Sequence, residues 1–117
     1  MAKLDFAKYS LSTSSGSAAF TVLMHLFKPD DEVLVTSETY TGGRHILDLL
    51  FRPINLNIKL MDYENLAEIE NNITEKTKAL FLETPTNPTM KTYDIQAISK
   101  ICKKHNILLI VDNTTAT

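Results

Sequence analysis

The chain has 117 residues, a net charge of −2 and a hydrophobic fraction of 44%. This length corresponds to one domain or to part of a larger one, and the composition is that of an ordinary globular protein. The charged residues form no long basic stripe, which argues against nucleic acid as a partner. No apolar run approaches the ~20 residues of a membrane span, and the single cysteine cannot form an internal disulfide. We therefore expect a soluble, cytoplasmic protein.

Short apolar runs alternate with segments of helical spacing along the chain. The apolar runs predict five strands, at 9–14, 32–37, 57–62, 78–83 and 107–112. Helical spacing predicts helices at 16–27, 42–51, 64–73 and 94–106, the last with Asp94 as its N-cap and Cys102 on its apolar face. The strands look buried on both faces. This alternation predicts an α/β fold with a mainly parallel sheet.

Polar clusters follow four of the five predicted strands, at the ends where open parallel sheets bind ligands. They read "STSSGS", "SETYTGG", "ETPTNP" and "DN". In the first cluster, Ser15, Gly16 and Ser17 open a helix, and their backbone N–H groups would suit an anion such as phosphate. A plain N-cap explains this turn equally well. The turn lacks the Walker lysine and the G-x-G-x-x-G pattern of nucleotide-binding folds.

Tyr40 and Asn87 are the candidate ligand contacts in the second and third clusters. Tyr40 precedes two glycines on what reads as a flexible turn, where its ring could stack on a flat ligand and its hydroxyl could transfer a proton. Asn87 lies between two prolines that restrict the loop and could fix the direction of its amide. A rim tyrosine and a tight turn are the simpler alternatives.

Asp112 ends the apolar run "ILLIVD". An ionised carboxylate is costly to bury behind aliphatic side chains unless a cation or hydrogen-bond donors meet it. A ligand with a protonated ring nitrogen would supply that cation. A capping or loop role is the alternative for an isolated aspartate.

The segments "KYSLSTSSGSAA", "ETPTNPTMK" and "LLIVDNT" together resemble the Cys/Met-metabolism family of pyridoxal-phosphate enzymes, the cystathionine γ-synthase and γ-lyase group. The resemblance covers essentially the whole chain. It implies part of the large domain of a fold type I pyridoxal-phosphate-dependent transferase, with helices on both faces of the sheet. It also implies a homotetramer and a small sulfur amino acid as substrate.

The resemblance assigns a role in binding pyridoxal 5′-phosphate to each candidate residue. The amides of residues 15–17 would hold the phosphate. Tyr40 would stack on the pyridine ring and, as a catalytic residue, assist either proton transfer or departure of the leaving group. Asn87 would hydrogen-bond the phenolic oxygen of the ring. Asp112 would pair with the pyridinium nitrogen, since a nearby carboxylate favours the protonated form of the ring.

The sequence departs from the family pattern at three positions. The family more often has Gly at the position of Thr41, Met or Leu at that of Ser17, and Phe at that of Thr115. None of these changes removes a cofactor contact. The chain also lacks the Schiff-base lysine segment, the N-terminal arm and the C-terminal domain of the family. None of its lysines at 28, 59, 76, 78 and 91 is expected beside Asp112. We therefore expect residues 1–117 to be an inactive internal part of the large domain.

The resemblance implies γ-elimination or γ-replacement on sulfur amino acids by the complete enzyme, and "ETPTNPT" favours the γ-lyase branch. Methionine γ-lyase and O-acylhomoserine sulfhydrylase remain alternatives within the family. Outside enzyme chemistry, the chain could be a truncated pseudoenzyme or a phosphate-binding remnant. A phospho-receiver domain is disfavoured, because Asp30 and Asp31 precede a strand instead of following one. A parallel sheet without its outer strands predicts an isolated segment that aggregates readily.

Overall fold

The computed structural model describes residues 2–116 and contains one sheet of four parallel strands in that range. The strands are β1 (Glu32–Thr36), β2 (Asn57–Met61), β3 (Thr77–Glu83) and β4 (Leu108–Asp112). Their spatial order is β2-β1-β3-β4, and all three neighbouring pairs are parallel. The chain moves outward from β1 to β2 and then crosses to the other side of β1, so the strand order reverses between β1 and β3. This reversal is the topological switch point of the sheet.

Four α-helices connect and cover the strands, as the alternating pattern predicts. They are α1 (Gly16–Met24), α2 (Thr41–Ile46), α3 (Leu66–Asn71) and α4 (Ile95–His105). The predicted N-cap of α4 is confirmed, because the Asp94 side chain accepts the N–H of Ala97 at 2.9 Å. Among the described residues, no helix combines the length and apolar character needed to span a bilayer.

Side chains of β1 and β3 alternate between two apolar cores, one on each face of the sheet. Val33, Val35 and Phe81 point to the side of α1 and α2. Leu34 and Leu80 point to the side of α3 and α4, where Cys102 is also buried as predicted. Two covered faces explain why the central strands are almost continuously apolar. The predicted α/β fold with a parallel sheet is confirmed.

The strand predicted at 9–14 is wrong. This segment has no regular secondary structure and pairs with no strand of residues 2–116, and the side chains of Tyr9 and Leu11 are largely exposed. Backbone groups of an isolated strand gain no ladder hydrogen bonds, so an alternating pattern alone does not make a strand. The "STSSGS" cluster therefore does not follow a strand.

Two further predictions need correction. Only the central strands are buried on both faces: β2 alternates and β4 is half-buried, because each has a neighbouring strand on one side only. The helix predicted at 42–51 is α-helical only to Ile46, continues as a π-helical turn over Leu47–Phe51, and ends in a 3-10 turn over Arg52–Ile54. The helical path ends at Asn55, whose left-handed backbone conformation (φ 64°) cannot continue it.

Candidate functional site

A cavity of about 270 Å³ lies at the carboxyl edge of the sheet, at the switch point between β1 and β3. Its volume is close to the lower end of the roughly 300–1,000 Å³ typical of small-molecule pockets. All the candidate ligand contacts predicted from the sequence line this one cavity: Ser15, Gly16, Ser17, Tyr40, Asn87 and Asp112. Residues separated by up to 97 positions in the chain therefore meet at one place.

The N-terminus of α1 forms one wall of the cavity. The Ser15 side chain caps the helix by accepting the N–H of Ala18 at 3.1 Å, so the plain N-cap role is present. Helix geometry still leaves the N–H groups of Gly16 and Ser17 without an acceptor inside the helix. A Cβ placed on Gly16 would meet no atom within 4 Å, so a ligand can approach this turn closely. The turn can hold an anion in addition to its structural role.

Tyr40 lies at the start of α2, and its side chain is 51% exposed. The predicted flexible turn is wrong here, since Gly42 and Gly43 belong to the first turns of the helix. The tyrosine ring lies against Gly42: a Cβ added to that glycine would be 2.6 Å from the Tyr40 Cζ atom. The absence of a side chain at position 42 therefore leaves room for the ring beside the cavity.

Asn87 is exposed in the loop after β3, and its backbone N–H donates to Glu83 Oε1 at 3.2 Å. Buried Thr86 also holds this loop, because its hydroxyl accepts the N–H of Lys91 at 2.9 Å. The prolines are thus only part of the restraint on Asn87. Asn87 lines the cavity, and a side-chain amide can donate to an oxygen of a bound ligand.

Asp112 is half-buried at the end of β4, directly opposite Glu83 in the register of the sheet. Its Oδ1 accepts the backbone N–H of Thr114 at 3.0 Å and also the Thr114 hydroxyl. Within residues 2–116, Oδ2 accepts no hydrogen bond. That oxygen can meet a cation or an N–H group of a ligand.

Glu83 is the main residue of the cavity that the sequence analysis missed. Its side chain is only 5% exposed, and its Oε2 accepts the backbone N–H of Tyr40 at 2.6 Å. Burial raises the pKa of the Glu83 carboxyl, the amides of Tyr40 and Asn87 oppose this shift, and the charge of Asp112 adds to it. A signal for Glu83 existed in the sequence, because it ends an apolar strand in the same way as Asp112.

The remaining cavity walls are apolar rings and small polar side chains that the sequence analysis also missed: Phe20, Thr39, Gly43, Phe81, Thr114 and Thr115. The rings of Phe20 and Phe81 pack edge to face, with centroids 4.8 Å apart. The Thr115 hydroxyl donates to the Pro85 carbonyl at 2.6 Å. No periodicity distinguishes these cavity residues from the core residues beside them.

None of the lysines among residues 2–116 lines the cavity. This agrees with the expectation that no lysine stands beside Asp112. Lys91, which lies three residues after the third polar cluster, instead pairs with Glu38 at 2.7 Å and with Glu64 at 3.1 Å.

Comparison with known proteins gives consistent matches along the chain. The family model for Cys/Met metabolism PLP-dependent enzymes matches residues 1–117. Cystathionine gamma-synthase of Haemophilus influenzae is 44% identical over 120 residues, which cover 100% of this chain and 32% of that protein. Cystathionine gamma-lyase of Rattus norvegicus is 41% identical over 115 residues, covering 97% of this chain and 29% of that protein.

A solved structure shares the fold. Cystathionine gamma-lyase from Lactobacillus plantarum, complexed with L-serine, superimposes with a TM-score of 0.94 and 36% identity, over 96% of this chain and 29% of that chain. The chain thus spans about a third of the length of the curated relatives that it matches.

The fold and the cavity define an open α/β domain whose candidate ligand site lies at the topological switch point of a parallel sheet. The chain belongs to the family of Cys/Met metabolism PLP-dependent enzymes, as the matches over its whole length show. The resemblance drawn from the three sequence motifs is confirmed.

Proposed function

We propose that this chain is the cofactor-binding segment of a pyridoxal-phosphate-dependent trans-sulfuration enzyme. The observation that carries the proposal is the meeting of four chemically different contacts in one cavity: a helix N-terminus, an aromatic ring, a side-chain amide and a carboxylate. Each contact complements one part of pyridoxal 5′-phosphate, namely the phosphate, the ring face, the phenolic oxygen and the ring nitrogen. When bound, this cofactor supplies an electron sink for carbanions of amino acid substrates.

The residues of the cavity fit this group by charge and by hydrogen-bonding capacity. The N–H groups of Gly16 and Ser17 complement a phosphate, and they lie at the positive end of α1. Asp112, on the last strand, has a free oxygen for the ring nitrogen and would keep that nitrogen protonated. The Tyr40 ring covers one wall, and Asn87 can donate to the phenolic oxygen. These assignments make Tyr40 the candidate catalytic residue for proton transfer.

The cavity residues of this segment bind and orient, whereas covalent attachment of the cofactor requires a lysine from outside residues 2–116. We propose that residues 1–117 form part of the large domain of an enzyme that acts on sulfur amino acids by γ-elimination or γ-replacement. Names of the relatives support both the γ-synthase and the γ-lyase reaction. A cytoplasmic homotetramer is the assembly that we propose for the complete enzyme.

Binding of pyridoxine 5′-phosphate to the natural full-length protein, freed of bound cofactor, tests the cofactor assignment. This probe carries the phosphate, the ring nitrogen and the phenolic oxygen but no aldehyde, so it does not react with lysines. We expect Asp112→Ala to weaken its binding by about tenfold or more, since a hydrogen bond to a charged group is lost. Isothermal titration calorimetry measures the change.

Asp62→Ala is the matched control for that experiment. Asp62 is an exposed carboxylate that follows β2 at the same edge of the sheet, outside the cavity. We expect its removal to leave the affinity unchanged. Equal affinities of wild type and Asp112→Ala would contradict the assignment of Asp112 to the ring nitrogen.

The lining of the cavity also favours one alternative, in which the segment binds a ligand that carries a phosphate group but catalyses no reaction. This alternative rests on the observation that no lysine of residues 2–116 lines the cavity. The intact mass of the natural protein separates the two functions. A mass near that of 117 residues supports the non-catalytic product, and a mass near that of the curated relatives supports the enzyme, whose assay is the release of a keto acid or exchange of a γ substituent.

A further inference from the structure

Glu83 joins the two loops that carry Tyr40 and Asn87. The carboxylate accepts the backbone N–H of Tyr40 at 2.6 Å through Oε2 and the backbone N–H of Asn87 at 3.2 Å through Oε1. Tyr40 is 43 residues away from Glu83 in the sequence. One side chain therefore fixes the distance between two segments that the chain itself does not hold together.

The position of this carboxylate coincides with the topological switch point. The Tyr40 loop follows β1 and the Asn87 loop follows β3, and the cavity opens between these neighbouring strands. A second connection between the loops runs from Glu38 to Lys91 and Thr89, but it lies on the exposed side. Glu83 is 5% exposed, so its hydrogen bonds are the ones protected from competition by water.

The contacts of Glu83 argue against a role as a general acid or base. Both of its oxygens already accept backbone N–H groups, whereas Asp112 on the neighbouring strand lines the cavity and has one oxygen that accepts no hydrogen bond within residues 2–116. Burial and the charge of Asp112 raise the pKa of Glu83 and so disfavour its charged form, whereas the hydrogen bonds from the Tyr40 and Asn87 amides favour the charged form. Within residues 2–116, no other donor reaches the Glu83 carboxylate, so its charged form is stabilised by these two amides alone. The carboxylate is in turn the acceptor that holds both amides in place.

We propose that Glu83 is a positioning residue that sets the separation of Tyr40 and Asn87, and with it the width of the ligand cavity, by accepting both of their backbone N–H groups. This inference rests on the proposed function, because it assumes that a flat ring binds between these two residues. Glu83 itself does not contact the ligand in this scheme. It acts through the two loops.

Glu83→Gln is the informative variant. The glutamine oxygen can accept only one of the two amides directly, and the NH2 group would face the other N–H donor to donor. Amide hydrogen exchange of Tyr40 and Asn87 in the natural full-length protein, freed of bound cofactor, is the first measurement. We expect exchange at one or both positions to accelerate about tenfold or more, while amides of β3 and β4 keep their rates.

Affinity for pyridoxine 5′-phosphate is the second measurement, and we expect it to fall about tenfold or more in Glu83→Gln. Glu32→Gln is the matched control, since Glu32 is 6% exposed at the opposite end of neighbouring β1 and is far from the cavity lining. Its affinity should equal that of the wild type. Glu83→Asp, which keeps the charge but shortens the reach, should behave like Glu83→Gln and serves if the glutamine variant fails to fold.

The outcomes separate the positioning role of Glu83 from the cofactor assignment of the cavity. Unchanged exchange at Tyr40 and Asn87 in both Glu83 variants, or faster exchange spread evenly over β3 and β4, overturns the positioning role whether or not the probe binds. Equal affinities of Glu83→Gln and Glu32→Gln overturn it as well. If the wild-type chain does not bind the probe, the cofactor assignment fails, while the exchange rates still decide the role of Glu83.

Discussion

The two ends of the parallel sheet each contain one glutamate that is almost fully buried, and they satisfy it in different ways. At the amino end, Glu32 accepts hydrogen bonds from side chains, those of Thr74, Thr77 and Asn57. At the carboxyl end, Glu83 accepts backbone N–H groups from Tyr40 and Asn87. At the amino end, Glu32 therefore links the starts of β1, β2 and β3 and the turn before β3. At the carboxyl end, Glu83 links the two loops that enclose the cavity.

This difference separates stability from function within one sheet. The donors to Glu32 lie away from the cavity lining, so their loss should affect only the free energy of unfolding. The donors to Glu83 belong to residues that face the cavity, so their loss should also change ligand affinity.

Glu32→Ala should have the largest effect on stability. The change leaves two threonine hydroxyls and the Asn57 amide without their acceptor, and we expect the free energy of unfolding to fall by about 3 kcal/mol. Urea unfolding followed by circular dichroism measures this loss. Probe affinity of the folded fraction should not change, and a parallel drop in affinity would remove the distinction between the two ends.

Gly42→Ala should have the opposite profile at the carboxyl end. The new methyl group would occupy the space of the Tyr40 ring, so we expect the ring to move and affinity for pyridoxine 5′-phosphate to fall several-fold. Stability should stay the same or rise by up to about 1 kcal/mol, because alanine is the better helix former. Calorimetric titration and urea unfolding measure the two effects.

The matching control combines Gly42→Ala with Tyr40→Ala. If the methyl group acts only by displacing the tyrosine ring, the double variant should bind the probe as weakly as Tyr40→Ala alone. A further loss of affinity in the double variant would show that Gly42 acts independently of Tyr40.

The smallest expected effect is the pH dependence contributed by Glu83. Because burial raises its pKa in the folded chain, the folded carboxyl keeps a proton that the unfolded chain releases between the ordinary glutamate pKa and the raised one. The contribution of Glu83 to the free energy of unfolding therefore falls as pH rises through this window and is constant on either side of it. Urea unfolding at a series of acidic pH values, compared between wild type and Glu83→Gln, measures how much of the pH dependence of the free energy of unfolding comes from Glu83.

The amide protons of Tyr40 and Asn87 report the same titration in nuclear magnetic resonance spectra. Both should shift with one shared midpoint above the ordinary pKa of glutamate. Separate midpoints, or a midpoint below the ordinary value, would contradict a common carboxylate partner in the folded chain.

Local sequence predicted the elements whose stability depends on their own residues. The N-cap at Asp94 and the apolar central strands follow from short-range rules, and the structure contains them. The segment 9–14 failed as a strand because strand formation depends on a partner, which the alternating pattern does not encode. The half-buried state of β4 likewise depends on its place at the edge of the sheet.

The candidate site was predicted residue by residue, but its supporting contacts were not. Ser15, Tyr40, Asn87 and Asp112 came from motifs and from the rule that ligands bind at strand ends, and they line one cavity. Glu83 was passed over because a glutamate at the end of a strand is ordinary until its donors are known. The hydrogen bond from Tyr40 spans 43 residues, a distance over which no spacing rule applies.

The sequence by itself determined the α/β class, the helix caps and the chemical types of the candidate ligand contacts, because these depend on neighbouring residues and on side-chain chemistry. Only the tertiary structure decided which strands are central, that Tyr40 rests on Gly42, and that Glu83 holds two loops together. The physical reason is that burial, raised pKa and hydrogen-bond partnership are properties of a position in space. They arise when distant segments pack against each other.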